Sequence, residues 1–191
     1  MLIFLLLLSF LLGSVPSAYL IVKTFCGIDI REHGSGNPGT TNVWRTAGRT
    51  PGALTLILDV LKGLIPILVA KNLYADQSLM VPMLAGCCAI AGHIWSPFLK
   101  FKGGKGVATS FGVFLGLTPL ASFLALVIFV IVFLTTKYVS LGSMSAAISL
   151  PIFMFFLKEP AFLKDVSAVL AVIVIWRHKS NIKKFMGIKE E

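Results

Sequence analysis

Long apolar runs separated by short polar stretches dominate this chain. The first run, Met1–Val22, contains no charged residue, and at about 20 residues per span it is long enough for one membrane crossing. Further apolar segments cover residues 51–70, 79–95, 107–117, 119–136, 140–157 and 166–176. The pattern predicts an all-α integral membrane protein with about seven transmembrane helices.

Some of these segments are short for a full crossing. The segment Val107–Leu117 has 11 residues, and at a rise of about 1.5 Å per residue it falls well below a hydrocarbon core of about 30 Å. We therefore expect some tilted or half-length helices. A chain with five spans, in which the shortest segments enter the membrane without crossing it, would place the polar loops on the same side.

The basic residues indicate how the chain sits in the membrane. The first positive charges, Lys23 and Arg31, follow the first apolar run, and no basic region precedes that run, so an uncleaved first helix is favoured over a signal peptide. The side shared by the three longest polar stretches carries 13 Lys and Arg, against Lys71, Lys158 and Lys164 opposite: Lys23, Arg31, Arg45, Arg49, Lys100, Lys102, Lys105, Lys137, Arg177, Lys179, Lys183, Lys184 and Lys189. This asymmetry predicts an outside N-terminus and cytoplasmic polar loops.

Composition limits what else the chain can contain. Of its 191 residues, 57% are hydrophobic and 13% are charged, which leaves almost no room for an extramembrane domain. We expect a single transmembrane domain over residues 1–191, with its chemistry at the bilayer surface or between helices. The net charge of +9 is explained by topology and by anionic substrates, so no nucleic acid partner is expected.

Three polar stretches are difficult to explain as packing. They are Ser35–Gly48 (SGNPGTTNVWRTAG), Lys102–Gly112 (KGGKGVATSFG) and Arg177–Asn181 (RHKSN). Polar backbone at membrane depth needs partners or a water-filled cavity. Gly103–Gly106 precedes a helix, where backbone N–H groups and a lysine can bind phosphate. A flexible interfacial turn would use the same glycines.

The remaining side chains exclude several kinds of catalytic site. The acids do not cluster, the three histidines and three cysteines lack metal-ligand spacing, and no nucleophile elbow of the G-x-S-x-G type occurs. We therefore expect no metal and no cofactor, and a site that works by positioning and electrostatics. Asp59 and Lys62, three residues apart within the second helix, can pair. A functional and a structural role both remain open for that pair.

Together the three polar stretches resemble the motifs of the bacterial acyl-phosphate:glycerol-3-phosphate acyltransferases (PlsY type). The segments LLGSVPSAYLIVK and SLGSMS are also similar to that family, so the resemblance covers most of the chain. Thr40 stands where the family has alanine, and Pro38 occupies a variable position. The resemblance implies transfer of a fatty acyl group from acyl phosphate to the 1-hydroxyl of sn-glycerol 3-phosphate, in a bacterial inner membrane. The products would be lysophosphatidic acid and inorganic phosphate, the first acylation in phospholipid synthesis.

The resemblance also implies a set of site residues. Those expected to act in catalysis are Ser35, Arg45, Lys105, His178 and Asn181; those expected to bind substrate are Gly103, Gly104, Gly106, Thr109, Ser143, Arg177, Thr41 and Asn42. The expected partners are acyl phosphate, glycerol 3-phosphate and the lipid bilayer, without an obligate protein partner.

Our hypothesis assigns phosphate binding to Lys105 and Arg45, and orientation of substrate oxygens to Ser35 and Asn181. His178 would orient a group or shuttle a proton, unless a phosphate of glycerol 3-phosphate accepts the hydroxyl proton itself. The alternative for Ser35 is an acyl-enzyme nucleophile. The alternative function is transport of a small phosphorylated anion, although no internal repeat is present and the polar loops share one side.

Overall fold

The chain is helical in all of its predicted apolar segments. The computed structural model describes residues 1–75 and 78–187; Lys189, counted above among the cytoplasmic charges, lies outside them. The α-helices in the described residues are α1 (Leu2–Ser14), α2 (Ser17–Cys26), α3 (Thr40–Ala47), α4 (Arg49–Leu73), α5 (Met80–Ile94), α6 (Val107–Leu117), α7 (Pro119–Thr136), α8 (Val139–Phe156), α9 (Ala161–Arg177) and α10 (Lys179–Phe185). The expectation of an all-α membrane protein is confirmed.

The expected number of seven spans is not confirmed. Within the described residues, five segments are long and apolar enough to cross a membrane: Leu2–Cys26, Arg49–Leu73, Met80–Leu99, Pro119–Thr136 and Val139–Phe156. Helix α6 is a shorter apolar helix, with the bounds that the sequence predicted. Many of the large side chains on α7, α8 and α9 are exposed, including Phe123, Phe155 and Val172, as expected of helices that face lipid.

Pro16 divides the first apolar run, which the sequence analysis treated as one helix. Proline disfavours helical backbone at the preceding residue, and Val15 is accordingly extended, with φ −53° and ψ 121°. The carbonyls freed by the break find side-chain donors: Ser96 Oγ donates to Ser14 O at 2.6 Å, and Lys62 Nζ donates to Val15 O at 3.0 Å. The break therefore places polar groups of three segments next to one another.

Small residues allow the helices of the first compact unit, Met1–Leu117, to approach closely. Helix α4 packs on α6, where a Cβ on Gly63 would lie 2.2 Å from Thr109 O and one on Gly112 would lie 2.0 Å from Val60 O. Helix α1 packs on α5 in the same way, through Gly13. Backbones this close leave no room for a side chain, so the two helix crossings require glycine at these positions.

The second compact unit begins at Thr118. In it α7 packs against α8, and α8 packs against α9. Gly142 of α8 lies against Phe129 of α7, 3.0 Å from the position a Cβ would occupy. Helix α10 follows α9 after a single residue, His178.

Candidate active site

The first polar stretch is a loop followed by the short helix α3, which the sequence pattern did not predict. Asn42, on the buried face of α3, holds this loop in place by hydrogen bonds. Its Nδ2 donates to Ile30 O at 3.2 Å and to His33 O at 3.0 Å, and its Oδ1 accepts from the Ser35 N–H at 2.9 Å. Asn42 is 5% exposed, so its amide serves the loop backbone. Substrate binding by Asn42 stays a prediction, but these contacts support a role in positioning Ser35.

Replacing Asn42 with alanine is expected to destabilise the first loop. Two carbonyls and one N–H would lose their partner, at about 2 kcal/mol in total, and kcat/KM should fall about tenfold or more because Ser35 loses its restraint. Thermal unfolding in detergent and steady-state acyltransfer measure the two effects. Asn37→Ala is the matched control, because the Asn37 side chain makes no hydrogen bond to the described residues. Equal losses in both variants would contradict the positioning role.

Ser35 and Arg45 are both exposed. Arg45 lies in the last turn of α3, whose Val43 is fully buried against Val22 and Ile30. The buried valine fixes the rotation of a helix only eight residues long. Arg45 therefore projects from an anchored element, and Thr41 lies half-buried on the same helix.

An ion pair stiffens the start of the first loop. Arg31 Nε donates to Asp29 Oδ1 at 2.9 Å, and the Arg31 guanidinium lies 5.1 Å from the centroid of the Tyr19 ring. The hydrogen bond from Arg31 lowers the pKa of Asp29 to about 2. Because that pKa lies below the unfolded value of about 3.9, the stabilising effect is present above about pH 4 and is lost as the pH falls toward 2. The contribution of this ion pair to stability therefore does not change with pH near neutrality.

The second polar stretch is pinned to the C-terminal end of α5. The Gly103 N–H donates to Ile94 O at 3.1 Å, and the Gly104 N–H donates to His93 O at 3.2 Å. A Cβ on Gly103 would lie 2.0 Å from His93 O, and one on Gly104 would lie 2.3 Å from His93 Nε2. Both N–H groups thus contact α5, so the prediction of a phosphate cradle is left with Lys105, Gly106 and the N–H groups in the first turn of α6.

Lys105 and Thr109 differ in their surroundings. Lys105 is half-buried and precedes Gly106, which has φ +83°. Thr109 is fully buried at the contact between α6 and Gly63 of α4, and its Oγ1 has no hydrogen-bond partner among the described residues. The burial of Thr109 supports a role in packing α6 against α4. The side chain of Lys105, by contrast, is partly exposed.

The remaining predicted residues belong to the second unit. Ser143 is 4% exposed in α8, Arg177 ends α9, and Asn181 lies half-buried on α10. His178 is 3% exposed, and its Nδ1 lies 2.7 Å from Val174 O. Because a carbonyl only accepts hydrogen bonds, Nδ1 carries the proton in this contact. The contact holds the imidazole against its own helix.

A buried polar cluster was only partly predicted from the sequence. The expected pair on α4 is confirmed: Lys62 Nζ lies 2.7 Å from Asp59 Oδ1. His93 of α5 completes the cluster, with Nδ1 at 3.8 Å from the same oxygen. Its position ten residues before Gly103 gave no signal of this contact, since α4 and α5 meet only in the folded chain.

Comparisons with known proteins show which family the chain belongs to. The family model described as glycerol-3-phosphate acyltransferase matches residues 3–187. Relatives named glycerol-3-phosphate acyltransferase include those of Geobacter sulfurreducens, 47% identical over 92% of this chain and 89% of the relative, and of Fusobacterium nucleatum, 46% identical over 94% and 92%.

Two solved structures have the same fold. Both are crystal structures of PlsY (YgiH), an integral membrane glycerol 3-phosphate acyltransferase, each 36% identical and covering 100% of this chain and 94% of the other. The TM-score is 0.91 for the glycerol 3-phosphate form and 0.89 for the lysophosphatidic acid form. On these grounds the chain belongs to the glycerol-3-phosphate acyltransferase family, and it is a multi-pass membrane protein.

Proposed function

We propose that this acyltransferase takes its acyl group from acyl phosphate and transfers it to the sn-1 hydroxyl of glycerol 3-phosphate. The observation that carries the proposal is the second loop: a lysine follows two glycines that are hydrogen-bonded to α5, at the entrance to α6. Such a loop holds a cation and helix N–H groups ready for phosphate. The PlsY structure in its glycerol 3-phosphate form supports the same acceptor.

The chemistry of an acyl phosphate fits the side chains present. The hydroxyl oxygen of the acceptor bonds to the acyl carbonyl carbon, and the carbon–oxygen bond to phosphate breaks, so phosphate leaves with the bonding electrons. An acyl phosphate is already activated, and the reaction therefore requires no ATP, no metal and no covalent enzyme intermediate. The enzyme has to bring two anions together and orient a hydroxyl, a task for cations and hydrogen-bond donors.

The proposed roles are divided between cations that bind phosphate and polar groups that orient the reacting oxygens. Lys105 and Arg45 bind phosphates, with Arg177 as a further cation, and the N–H groups that follow Gly104 contribute donors. Ser35 and Asn181 orient substrate oxygens, as does Ser143. His178 orients a group or relays the hydroxyl proton, unless the acceptor's own phosphate takes it. The exposure of Ser35 on a loop whose backbone is held by Asn42 supports its role.

The proposed orientation follows from charge. The basic residues favour one side of the membrane by 13 to 3 over the whole sequence, which supports a cytoplasmic site in a bacterial inner membrane. The family model matches residues of both compact units, which supports one acyltransferase domain.

A donor comparison tests the proposal. The purified protein in detergent receives labelled glycerol 3-phosphate with palmitoyl phosphate, then with palmitoyl-CoA, each with and without a chelator. We expect labelled lysophosphatidic acid from palmitoyl phosphate alone, at a rate that the chelator does not change. Product from palmitoyl-CoA at an equal rate would refute the donor assignment. Proteoliposome uptake of labelled glycerol 3-phosphate without product would point to the transport alternative.

A further inference from the structure

Three ionisable side chains are buried together beneath the second loop. Asp59, Lys62 and His93 are 2%, 5% and 7% exposed. Lys62 contacts both the Asp59 carboxylate and the Val15 carbonyl, and His93 Nδ1 lies 3.8 Å from the same carboxylate oxygen. Burying an ion pair is costly. Such a cluster is unusual in a helix bundle that could be held together by apolar packing alone.

His93 is the member of the cluster that contacts the loop, and it does so twice. Its carbonyl accepts the Gly104 N–H, and its ring occupies the space where a Cβ of residue 104 would lie. The first contact sets the distance from the loop to α5. The second contact limits how far the loop can settle toward α4. Gly104 is therefore held between backbone and imidazole, directly before Lys105.

A small cavity joins the cluster to both polar loops of the first unit. Its lining includes Pro38 of the first loop, Gly104 of the second, and Asp59, Lys62 and His93. Its volume is about 10 Å³, which is about the room of one water molecule. Because little free space separates the imidazole from the loop, a change of the His93 side chain is expected to move the loop.

We propose that His93, buried beside the Asp59–Lys62 pair, is a positioning residue that fixes the backbone of Gly104 and thereby the placement of Lys105 toward glycerol 3-phosphate. The proposal rests on the phosphate-binding role proposed for the second loop. His93 itself does not touch the substrate. It determines acceptor affinity through the loop, and the acyl donor is recognised independently of it.

Paired substitutions test this proposal. Gly104→Ala should raise KM for glycerol 3-phosphate about 10- to 100-fold, because the methyl group displaces the loop from the imidazole. His93→Ala should raise the same KM while KM for acyl phosphate stays unchanged. In the His93→Ala background, Gly104→Ala should then cost less than threefold, because the ring that its methyl group meets is absent.

Gly103→Ala provides the matched control. The atom closest to its methyl group is the His93 carbonyl oxygen, which remains after His93→Ala, so its loss should be the same in both backgrounds. If Gly104→Ala costs the same factor with and without the imidazole, the proposal is wrong. Equal changes in KM for both substrates would overturn it as well.

One further measurement and one further variant distinguish failure of the positioning proposal from failure of the proposed function or of folding. The thermal shift produced by glycerol 3-phosphate alone reports acceptor binding without any donor, and His93→Asn replaces His93→Ala if the alanine variant does not fold. A wild-type protein that is stabilised by glycerol 3-phosphate but makes no product from acyl phosphate would refute the proposed donor. The positioning proposal would still be decided by the thermal shifts of the variants.

Discussion

Replacing Lys105 with methionine is expected to lower kcat/KM for glycerol 3-phosphate by about 10²- to 10³-fold, the usual effect of removing one well-placed donor from a site where charge is stabilised. Methionine keeps most of the length of the side chain and removes its charge. Lys105 lies between Gly104, held by the α5 carbonyl of His93, and Gly106 at the start of α6. The cation is therefore placed by backbone contacts that the substitution leaves intact.

Lys102→Met is the control for this experiment. Lys102 belongs to the same loop but is exposed, so its substitution removes the same charge from the protein without removing the proposed phosphate contact. We expect its kcat/KM to stay within about threefold of wild type, because an exposed charge is screened by salt. Similar losses in the two variants would mean that the net charge of the loop, not Lys105 itself, attracts the substrate. Lys105→Arg should recover part of the activity, since a cation remains.

Removing Lys62 is expected to cause the largest loss of stability. Lys62→Met leaves Asp59, 2% exposed, without its cation, and breaking a buried ion pair from one side costs about 3–5 kcal/mol. The Val15 carbonyl at the helix break loses its donor at the same time. Unfolding followed by tryptophan fluorescence in detergent measures the effect.

The double substitution Asp59→Leu and Lys62→Met separates charge from packing. Replacing both partners with apolar groups is often close to neutral, so the double variant should be more stable than Lys62→Met alone. Lys71→Met is the control: Lys71 Nζ donates to Gly116 O at 2.7 Å in the first unit, and losing a hydrogen bond to a charged donor costs about 1.5–3 kcal/mol. A double variant that is less stable than Lys62→Met would refute this explanation.

The sequence predicted the apolar helices well where proline or glycine marks their ends. Helix α7 runs from Pro119 to Thr136 and α6 from Val107 to Leu117, as predicted. The break at Pro16 was not predicted, because the whole first apolar run was interpreted as one uncleaved helix. An unbroken apolar run carries no periodic signal for such a break; its physical cause, the backbone restriction on Val15, lies in Pro16 alone.

Helix α3 was missed for a different reason. Its eight residues are mostly polar, and its only fully buried side chain is Val43. The helix is stabilised by Asn42 and Val43, whose partners Ile30 and Val22 lie more than ten residues earlier in the chain. Local composition cannot reveal such contacts.

For the candidate site, the sequence predicted the residue types in the second loop but not the contacts that these residues make. It placed a lysine and glycines at a helix entrance, and the structure confirms that entrance at Val107. It could not show that the Gly103 and Gly104 N–H groups are bonded to α5, because their acceptors belong to another helix. The buried location of Thr109 depends on the crossing of α4 and α6 and was equally invisible.

The most direct test of the central claim follows both products of one reaction by ³¹P NMR. Purified protein is mixed with palmitoyl phosphate and glycerol 3-phosphate, and the signals of inorganic phosphate and lysophosphatidic acid are recorded together. After subtraction of the phosphate released in a sample without protein, the proposed reaction predicts equal amounts of the two at every time, with the acyl group on the sn-1 oxygen and no further phosphate when glycerol 3-phosphate is left out. Phosphate release above that of the sample without protein, with no lysophosphatidic acid, would show that the protein hydrolyses acyl phosphate, and would contradict acyl transfer from this donor.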